Sequence, residues 1–127
     1  MIISSIIIGE NVEIDATADF NNLTLGDNVR IRKYCSVFGS REHPVIIGSS
    51  TKISMMSTIN GFDSQLKIGE RCSISQNVHI ITGTGPSSSY KLMRLYPVIK
   101  GPVNIGNDCW IGAGSIISPN VNLGDFC

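Results

Sequence analysis

Large aliphatic residues recur at every sixth position over much of this chain. The segment from Leu66 to Gly83 shows the pattern in one piece, with Ile68, Ile74 and Ile80 six residues apart. A period of six fits neither the 3.6-residue period of a helix nor the two-residue alternation of a single strand. It fits a short strand followed by a tight turn, repeated. The pattern therefore predicts a solenoid of stacked coils.

The same register extends over most of the sequence. Aliphatic residues begin further six-residue units at Ile8 and Ile14; Leu25, Ile31 and Val37; Ile47, Ile53 and Ile59; Ile105, Ile111 and Ile117; and Leu123. The fourth position is small or β-branched at Val12, Ala18, Val29, Cys35, Thr51, Ser57, Cys72, Val78, Cys109, Ser115 and Val121. We expect both positions to point inward and to form ladders with a spacing of about 4.8 Å. Burial of these ladders, at about 25 cal/mol per Å² of apolar surface, is the expected stabilising force.

Pairs of an aliphatic residue and a glycine divide the six-residue units into coils. The pairs begin at Ile8, Leu25, Ile47, Ile68, Ile105 and Leu123, with separations of 17, 22, 21, 37 and 18 residues. If one coil holds three units, or 18 residues, every insertion follows the third unit. All insertions are therefore expected at one corner of a three-sided coil.

This register predicts one domain over residues 1–127. Residues 1–24 form an irregular first coil, 25–80 regular coils with short inserts, 81–104 an extended loop, and 105–127 the last coils. The aliphatic and aromatic half of the extended loop indicates packing on another surface, such as a neighbouring subunit. The sequence stops at Cys127, one unit into a fifth coil, without a capping element. We interpret this as truncation, or as coverage of that end by another subunit or a missing segment.

Composition excludes several classes of partner. Lys plus Arg equals Asp plus Glu, ten each, without a basic run, so nucleic acid and anionic membrane are poor candidates. No apolar run approaches the ~20 residues of a membrane span. The segment Met1 to Ile8 lacks a basic start and a cleavage site, so it is interpreted as a first strand and not as a signal peptide.

The four cysteines favour a reducing compartment. Cys35, Cys72, Cys109 and Cys127 all fall at the small inward position and show no C-x-x-C spacing. Buried, reduced thiols are therefore preferred over a metal site or disulfides. A cytoplasmic location follows. The chain has only two histidines, His43 and His79, so a three-histidine metal site is excluded and no metal is expected.

The repeated text [Leu/Ile/Val]-Gly-x-x-[small]-x resembles the hexapeptide repeat of the left-handed parallel β-helix acyltransferases. The resemblance covers nearly the whole chain and implies an all-β, left-handed parallel β-helix of about five coils with one long loop. The segment NVHIITGTGP, followed by a loop and VNIGNDCWIGAG, is similar to the active-site region of the sugar and polysaccharide O-acetyltransferases of this family. The resemblance implies a homotrimer with clefts between subunits. It also implies acetyl-CoA-dependent O-acetylation of a sugar or surface-polysaccharide precursor by direct transfer, without a metal or a covalent intermediate.

Acyl transfer requires a general base for the acceptor and a donor that stabilises the oxyanion. In this family the strand before the loop typically ends with a histidine, whereas this chain has Gly83, Thr84, Gly85 and Pro86 there. His79 is the candidate base, because imidazole titrates near neutral pH. The alternative is an ordinary surface histidine, and then a non-catalytic assembly or binding module. His43, beside Pro44, is a weaker candidate or a plain loop residue.

The remaining site candidates carry over from the resemblance. Asn60, Asp63 and Gly85 are assigned to the sugar acceptor, although turn formation alone also explains the first two. Trp110, Ala113 and Gly114 are assigned to the CoA donor, the last two because small residues permit approach of its pantetheine arm. An interface role for Trp110 and a plain turn role for Ala113 and Gly114 stay open. The basic side chains of the extended loop are candidates for CoA phosphates or solvated charges; they are Lys91, Arg94 and Lys100.

Overall fold

The computed structural model describes residues 5–127, which wind into a three-sided parallel β-helix. The first wall contains β1 (Ile6–Ile8), β4 (Leu23–Leu25), β7 (Val45–Ile47), β10 (Leu66–Ile68), β15 (Val103–Ile105) and β18 (Asn122–Leu123). The second wall contains β2 (Glu13–Ile14), β5 (Arg30–Ile31), β8 (Lys52–Ile53), β11 (Ser73–Ile74) and β16 (Trp110–Ile111). The third wall contains β3 (Asp19–Asn21), β6 (Ser36–Gly39), β9 (Thr58–Gly61), β12 (His79–Ile81) and β17 (Ile116–Ile117). The chain thus completes five coils and begins a sixth, in line with the predicted number.

The six-residue register places one large apolar residue on each wall of the five complete coils; it is aliphatic everywhere except at Phe20. Ile68, Ile74 and Ile80 lie in β10, β11 and β12, on three successive walls, and all three side chains are buried. Their neighbours in the next coil continue each ladder, since Ile68 pairs with Ile105 and Ile74 with Ile111. Because every coil contributes to the same three ladders, a single apolar core runs along the axis.

Small polar side chains at the inward fourth position bond to the neighbouring coil. The buried Thr51 hydroxyl donates to the carbonyl of Gly69 at 2.7 Å, and the Ser57 hydroxyl donates to that of Ser75 at 3.0 Å. The thiols of Cys35, Cys72 and Cys109 donate to corner carbonyls in the same way. Side chains at the fourth position therefore fill the core. They also form hydrogen bonds with backbone groups that have no partner within the sheets.

Three of the four cysteines are buried as predicted, and the prediction for the fourth is wrong. Cys35, Cys72 and Cys109 lie inside the helix, whereas Cys127 is exposed. Cys127 occupies the inward register, but no later coil of the described chain stacks over its layer. The strand predicted for Met1 to Ile8 is described only from residue 5; its first four residues lie outside the described part.

Every insert leaves the helix at the third corner, between the third and first walls, as the spacing predicted. Residues 40–44 and 62–65 are short loops there. The long insert forms an arm: β13 (Gly83–Thr84) pairs antiparallel with β14 (Ile99–Lys100), and helix α1 (Tyr90–Leu95) lies between them. Ser89 caps α1, because its Oγ accepts a hydrogen bond from the Leu92 amide. Within residues 5–127 this six-residue helix is the only one, and it is too short to cross a membrane.

Candidate functional site

A cavity of about 540 Å³ opens at the third corner, where the arm folds back on the coil below it. The corner loop after β9 contributes Asp63 to the lining of this cavity. Strands β13 and β14, at the base of the arm, contribute further lining residues. Its lining residues are Asp63, Gly83, Thr84, Gly85, Ser87, Met93, Val98 and Lys100. A volume of this size suits a small-molecule ligand, and the lining mixes apolar side chains with a few polar groups.

Two hydrogen bonds through the Thr82 hydroxyl hold the backbone of Asp63 at the cavity. The Thr82 hydroxyl accepts a hydrogen bond from the Asp63 amide at 3.2 Å and donates to the Asn60 carbonyl at 3.1 Å. Thr82 itself is fully buried. Across the cavity, the Lys100 ammonium lies 3.7 Å from the Asp63 carboxylate. Hydrogen bonds therefore fix the backbone of Asp63, and its carboxylate faces the ammonium group of Lys100.

Gly83 allows the arm to approach this carboxylate. A methyl group at Gly83 would overlap the Asp63 carboxylate, well inside van der Waals contact. Gly85 plays the same part higher in the arm, where an added Cβ would overlap the backbone of Val98. The two glycines let the arm close against the corner loop, so they help to shape the cavity.

Two of the predicted acceptor residues, Asp63 and Gly85, line the cavity, and the third does not. The Asn60 side chain accepts a hydrogen bond from the Phe62 amide at 3.1 Å, so it stabilises the corner turn. His43 lies in the first insert at the same corner, where its backbone pairs with Ser40.

The candidate base and the candidate donor residues lie elsewhere on the single chain. His79 is half-buried on the third wall, in register with Thr58 and Ile116. Trp110 lies on the second wall, 74% exposed, with its indole N–H donating to the Ser75 hydroxyl at 3.2 Å.

Ala113 and Gly114 form the second corner, between the second and third walls, and both are exposed. Gly114 has φ +75°, and its amide donates to the Gln76 carbonyl at 3.2 Å. Within one chain, the predicted donor residues and the corner cavity therefore do not meet.

The structure adds lining residues that sequence reasoning did not assign. Ser87, Met93 and Val98 come from the arm, whose fold was not predicted. Lys100 was considered for CoA phosphates, but it faces Asp63 instead. The pairing of β13 with β14 produces this arrangement, and the two-residue strands give no periodic signal in the sequence.

No cluster of three potential metal ligands is present among the described residues of the chain. A surface ion pair lies away from the cavity, at the corner between the first and second walls, where Arg71 contacts Asp108 at 2.8 Å. The hydrogen bonds from Arg71 lower the pKa of Asp108. This pair connects two coils and has no evident part in the site.

Comparisons with known proteins support the predicted relationship. No family model matches the sequence. The dTDP-4-amino-4,6-dideoxy-D-glucose acyltransferase of Escherichia coli is 34% identical over 125 residues, which cover 91% of this chain and 64% of that protein. The galactoside O-acetyltransferase of Escherichia coli is 32% identical over 104 residues, which cover 80% of this chain and 48% of that protein. The chain thus spans less than two thirds of the length of either curated relative.

Solved structures give the same result for the fold. A mutant of AntD, an N-acyltransferase from Bacillus cereus, in complex with dTDP and coenzyme A, has a TM-score of 0.78 at 26% identity, covering 94% of this chain and 70% of AntD. AntD in complex with dTDP and 3-hydroxybutyryl-CoA has a TM-score of 0.76 at 28% identity, covering 93% and 65%. The predicted left-handed parallel β-helix is confirmed.

Proposed function

We propose that this chain transfers an acyl group from an acyl-CoA to a sugar bound at the third corner. Its homologues are sugar acyltransferases of the hexapeptide-repeat family. The observation that carries the proposal is the cavity lined by Asp63 and Gly85. Related structures contain coenzyme A or an acyl-CoA, which supports the class of donor. We take acetyl-CoA as the donor to be tested first.

The cavity favours an amine as the acceptor. Asp63 presents a carboxylate to the cavity, and a carboxylate binds a protonated amine and accepts its hydrogen bonds. An amine needs little help to lose its proton, since α-amino groups titrate near pH ~8. Solvent or the Asp63 carboxylate takes one proton from the ammonium, and the free amine attacks the thioester carbonyl. The carbon–sulfur bond breaks, and the CoA thiolate leaves and takes up the second proton that the nitrogen loses as the amide forms. The relatives named as N-acyltransferases support this choice.

Transfer to a sugar hydroxyl is the second candidate. It requires a stronger base, because a hydroxyl does not ionise near neutral pH. His79 is the imidazole closest in sequence to the cavity strands, and it lies half-buried on the third wall. In this alternative His79 takes the proton while Asp63 and Gly85 orient the sugar, and Asn60 holds the corner turn that carries Asp63. The galactoside relative, named as an O-acetyltransferase, supports it.

Either reaction requires a donor site close to the cavity, and we propose that a homotrimer supplies it. Trp110, Ala113 and Gly114 lie on the second wall and second corner, away from the third corner of their own chain. A neighbouring copy that turns its second corner toward the cavity would bring these residues to the acyl-CoA. We place the enzyme in the cytoplasm, where thiols stay reduced. There its product would feed synthesis of a surface polysaccharide.

Product analysis tests this proposal. The chain is incubated with acetyl-CoA and a dTDP-linked amino sugar, and in parallel with the same sugar carrying a hydroxyl in place of the amine. We expect mass spectrometry to find an acetylated amino sugar with release of CoA, and Asp63→Asn to lower that rate at least tenfold. Product from the hydroxyl sugar alone, lost in His79→Ala, would favour O-acetylation. No turnover of either sugar by a folded oligomer would favour a non-catalytic module.

A further inference from the structure

Among the described residues that line the corner cavity, Lys100 is the only cation, and it faces the only carboxylate, that of Asp63. The ammonium lies 3.7 Å from the carboxylate. This separation is longer than a hydrogen bond, so each group keeps hydrogen-bonding capacity for a ligand between them. The other polar side chains of the lining, Thr84 and Ser87, are neutral hydroxyls. Within the lining, the charge of Asp63 is therefore balanced by Lys100 alone.

The backbone on both sides of Lys100 is fixed. Lys100 pairs with Gly83 in the antiparallel ribbon of β13 and β14, and the next amide, that of Gly101, donates to the Thr82 carbonyl at 2.9 Å. Because the cross-strand partner of Lys100 is a glycine, the Asp63 carboxylate reaches the ribbon beside the lysine. The lysine side chain itself is 61% exposed, so it can adjust to a ligand in the cavity.

A carboxylate alone is a poor partner for an amine that must react. An opposite charge within ~4–6 Å favours the charged form, so it raises the pKa of an amine by about 1–3 units. The ammonium form has no free electron pair and does not attack a thioester. A cation close to the amine has the opposite effect on its pKa. The pair of Asp63 and Lys100 therefore offers hydrogen bonds to the nitrogen without favouring its protonated form.

Other titratable groups of the neighbouring elements do not line the cavity. The exposed ones are Arg41, Glu42, Tyr90, Lys91, Arg94 and Tyr96, and the half-buried ones are His43 and His79. Solvent and salt screen exposed charges outside the cavity, so Asp63 and Lys100 dominate the field at a bound amine.

We propose that Lys100 balances the charge of Asp63, so that an acceptor amine bound between them releases its proton to solvent and keeps a free electron pair. The inference rests on the proposed function for the choice of an amino sugar as the acceptor. It gives Lys100 a part in preparing the acceptor and none in binding the phosphates of CoA.

Calorimetry without an acyl donor tests the charge balance independently of turnover. A dTDP-linked amino sugar is titrated into the intact chain at pH 8, in two buffers with different ionisation enthalpies, to count the protons exchanged per sugar. We expect Lys100→Gln to take up at least about 0.4 proton more than the wild type, because its bound amine titrates about one unit above the free amine. Lys100→Arg should match the wild type. The same sugar carrying a hydroxyl should show no difference between the variants.

The pH dependence of kcat gives a second readout, since kcat reports groups in the complex with substrate. Lys100→Gln should shift the acid limb to higher pH by about one unit, which lowers kcat about tenfold below both limbs, and should match the wild type above about pH 10. Lys67→Gln is the control, because it removes the same charge from an exposed position outside the cavity. It should leave the profile unchanged, and KM for acetyl-CoA should stay the same in every variant.

The outcomes separate this inference from the proposed function. Equal proton numbers for the wild type and Lys100→Gln would contradict the inference. So would a kcat lowered by the same factor at every pH, which a purely structural role predicts, or a raised KM for acetyl-CoA, which would assign the lysine to the donor. If the proton difference is found but the wild type transfers no acyl group, the proposed function is wrong and the charge balance stands. If the wild type binds no amino sugar, both are wrong.

Discussion

The hydroxyl of Thr51 offers a sharp test of what holds the coils together. Thr51 is fully buried, and its hydroxyl donates to the Gly69 carbonyl at 2.7 Å and accepts from the Cys72 amide at 3.1 Å. Thr51→Val keeps the shape of the side chain but removes both hydrogen bonds. Each buried backbone group left without a partner costs about 1–3 kcal/mol. Burial of the methyl group that replaces the hydroxyl offsets this cost by up to ~0.8 kcal/mol. With two such groups, we expect a net loss of about 1–5 kcal/mol in the free energy of unfolding.

Two further variants separate hydrogen bonding from packing. Thr51→Ser keeps the hydroxyl and loses one methyl group, so we expect a cost of about 1 kcal/mol. Thr24→Val makes the original change on the outer, half-buried face of β4, where we expect less than ~0.5 kcal/mol. The measurement is urea unfolding followed by circular dichroism at one fixed protein concentration, because assembly changes apparent stability. The reasoning is refuted if Thr51→Val matches the wild type within ~0.5 kcal/mol, or if Thr51→Ser is the less stable of the two Thr51 variants.

Three other outcomes follow from the structure. Gly83→Ala should displace the Asp63 carboxylate and lower acyl transfer at least tenfold with little change in unfolding temperature, whereas Gly124→Ala, with open space around its added Cβ, should leave the rate unchanged. Equal rates for both variants would contradict the assigned contact. A thiol reagent should label Cys127 alone in the folded chain and all four cysteines in urea; rapid labelling of more than one in the folded chain would show that the core is open. Burial raises the pKa of the Cys72 thiol, so this thiol loses its proton at a lower pH in the unfolded chain than in the folded chain. The free energy of unfolding should therefore fall as the pH rises above about 9. A urea midpoint that stays constant between pH 8 and 10.5 would contradict this prediction.

The six-residue period predicts the helix well because every coil must bury the same three ladders. Ile68, Ile74 and Ile80 each have a neighbour in register above and below, so the requirement repeats along the chain and leaves a clear signal. The same reasoning places all inserts at the third corner. Cys127 shows the limit of the register, since burial also needs a following layer.

The site is harder to predict from the sequence because it is formed by the arm, which is not repeated along the chain. Nothing periodic marks the pairing of Gly83 with Lys100, yet this pairing brings the lysine opposite Asp63. The family resemblance assigned Asp63 and Gly85 to the acceptor, and both line the corner cavity, although their role there stays a prediction. It grouped them with Trp110 and Gly114, which lie on other faces of the same chain, because sequence order carries no information about which faces meet in an assembly.

A cavity of about 410 Å³ at the second corner was missed for a related reason. Arg32, Met55 and Gln76, which line it, are 23 and 21 residues apart and look like unrelated surface residues in the sequence. Stacking of the coils aligns them at one corner. In a solenoid, therefore, residues at equivalent positions of successive coils lie side by side and form one surface.

Steady-state kinetics of Asp63→Asn against the wild type, with acetyl-CoA and a dTDP-linked amino sugar, tests the acyl-transfer site most directly. CoA release is followed with a thiol reagent, and a parallel reaction without the sugar corrects for the thiols of the protein. The account predicts turnover by the wild type, a loss of at least tenfold in kcat/KM for the amino sugar in Asp63→Asn, and an unchanged KM for acetyl-CoA. Turnover equal to that of the wild type in the variant would contradict an acceptor site at the third corner.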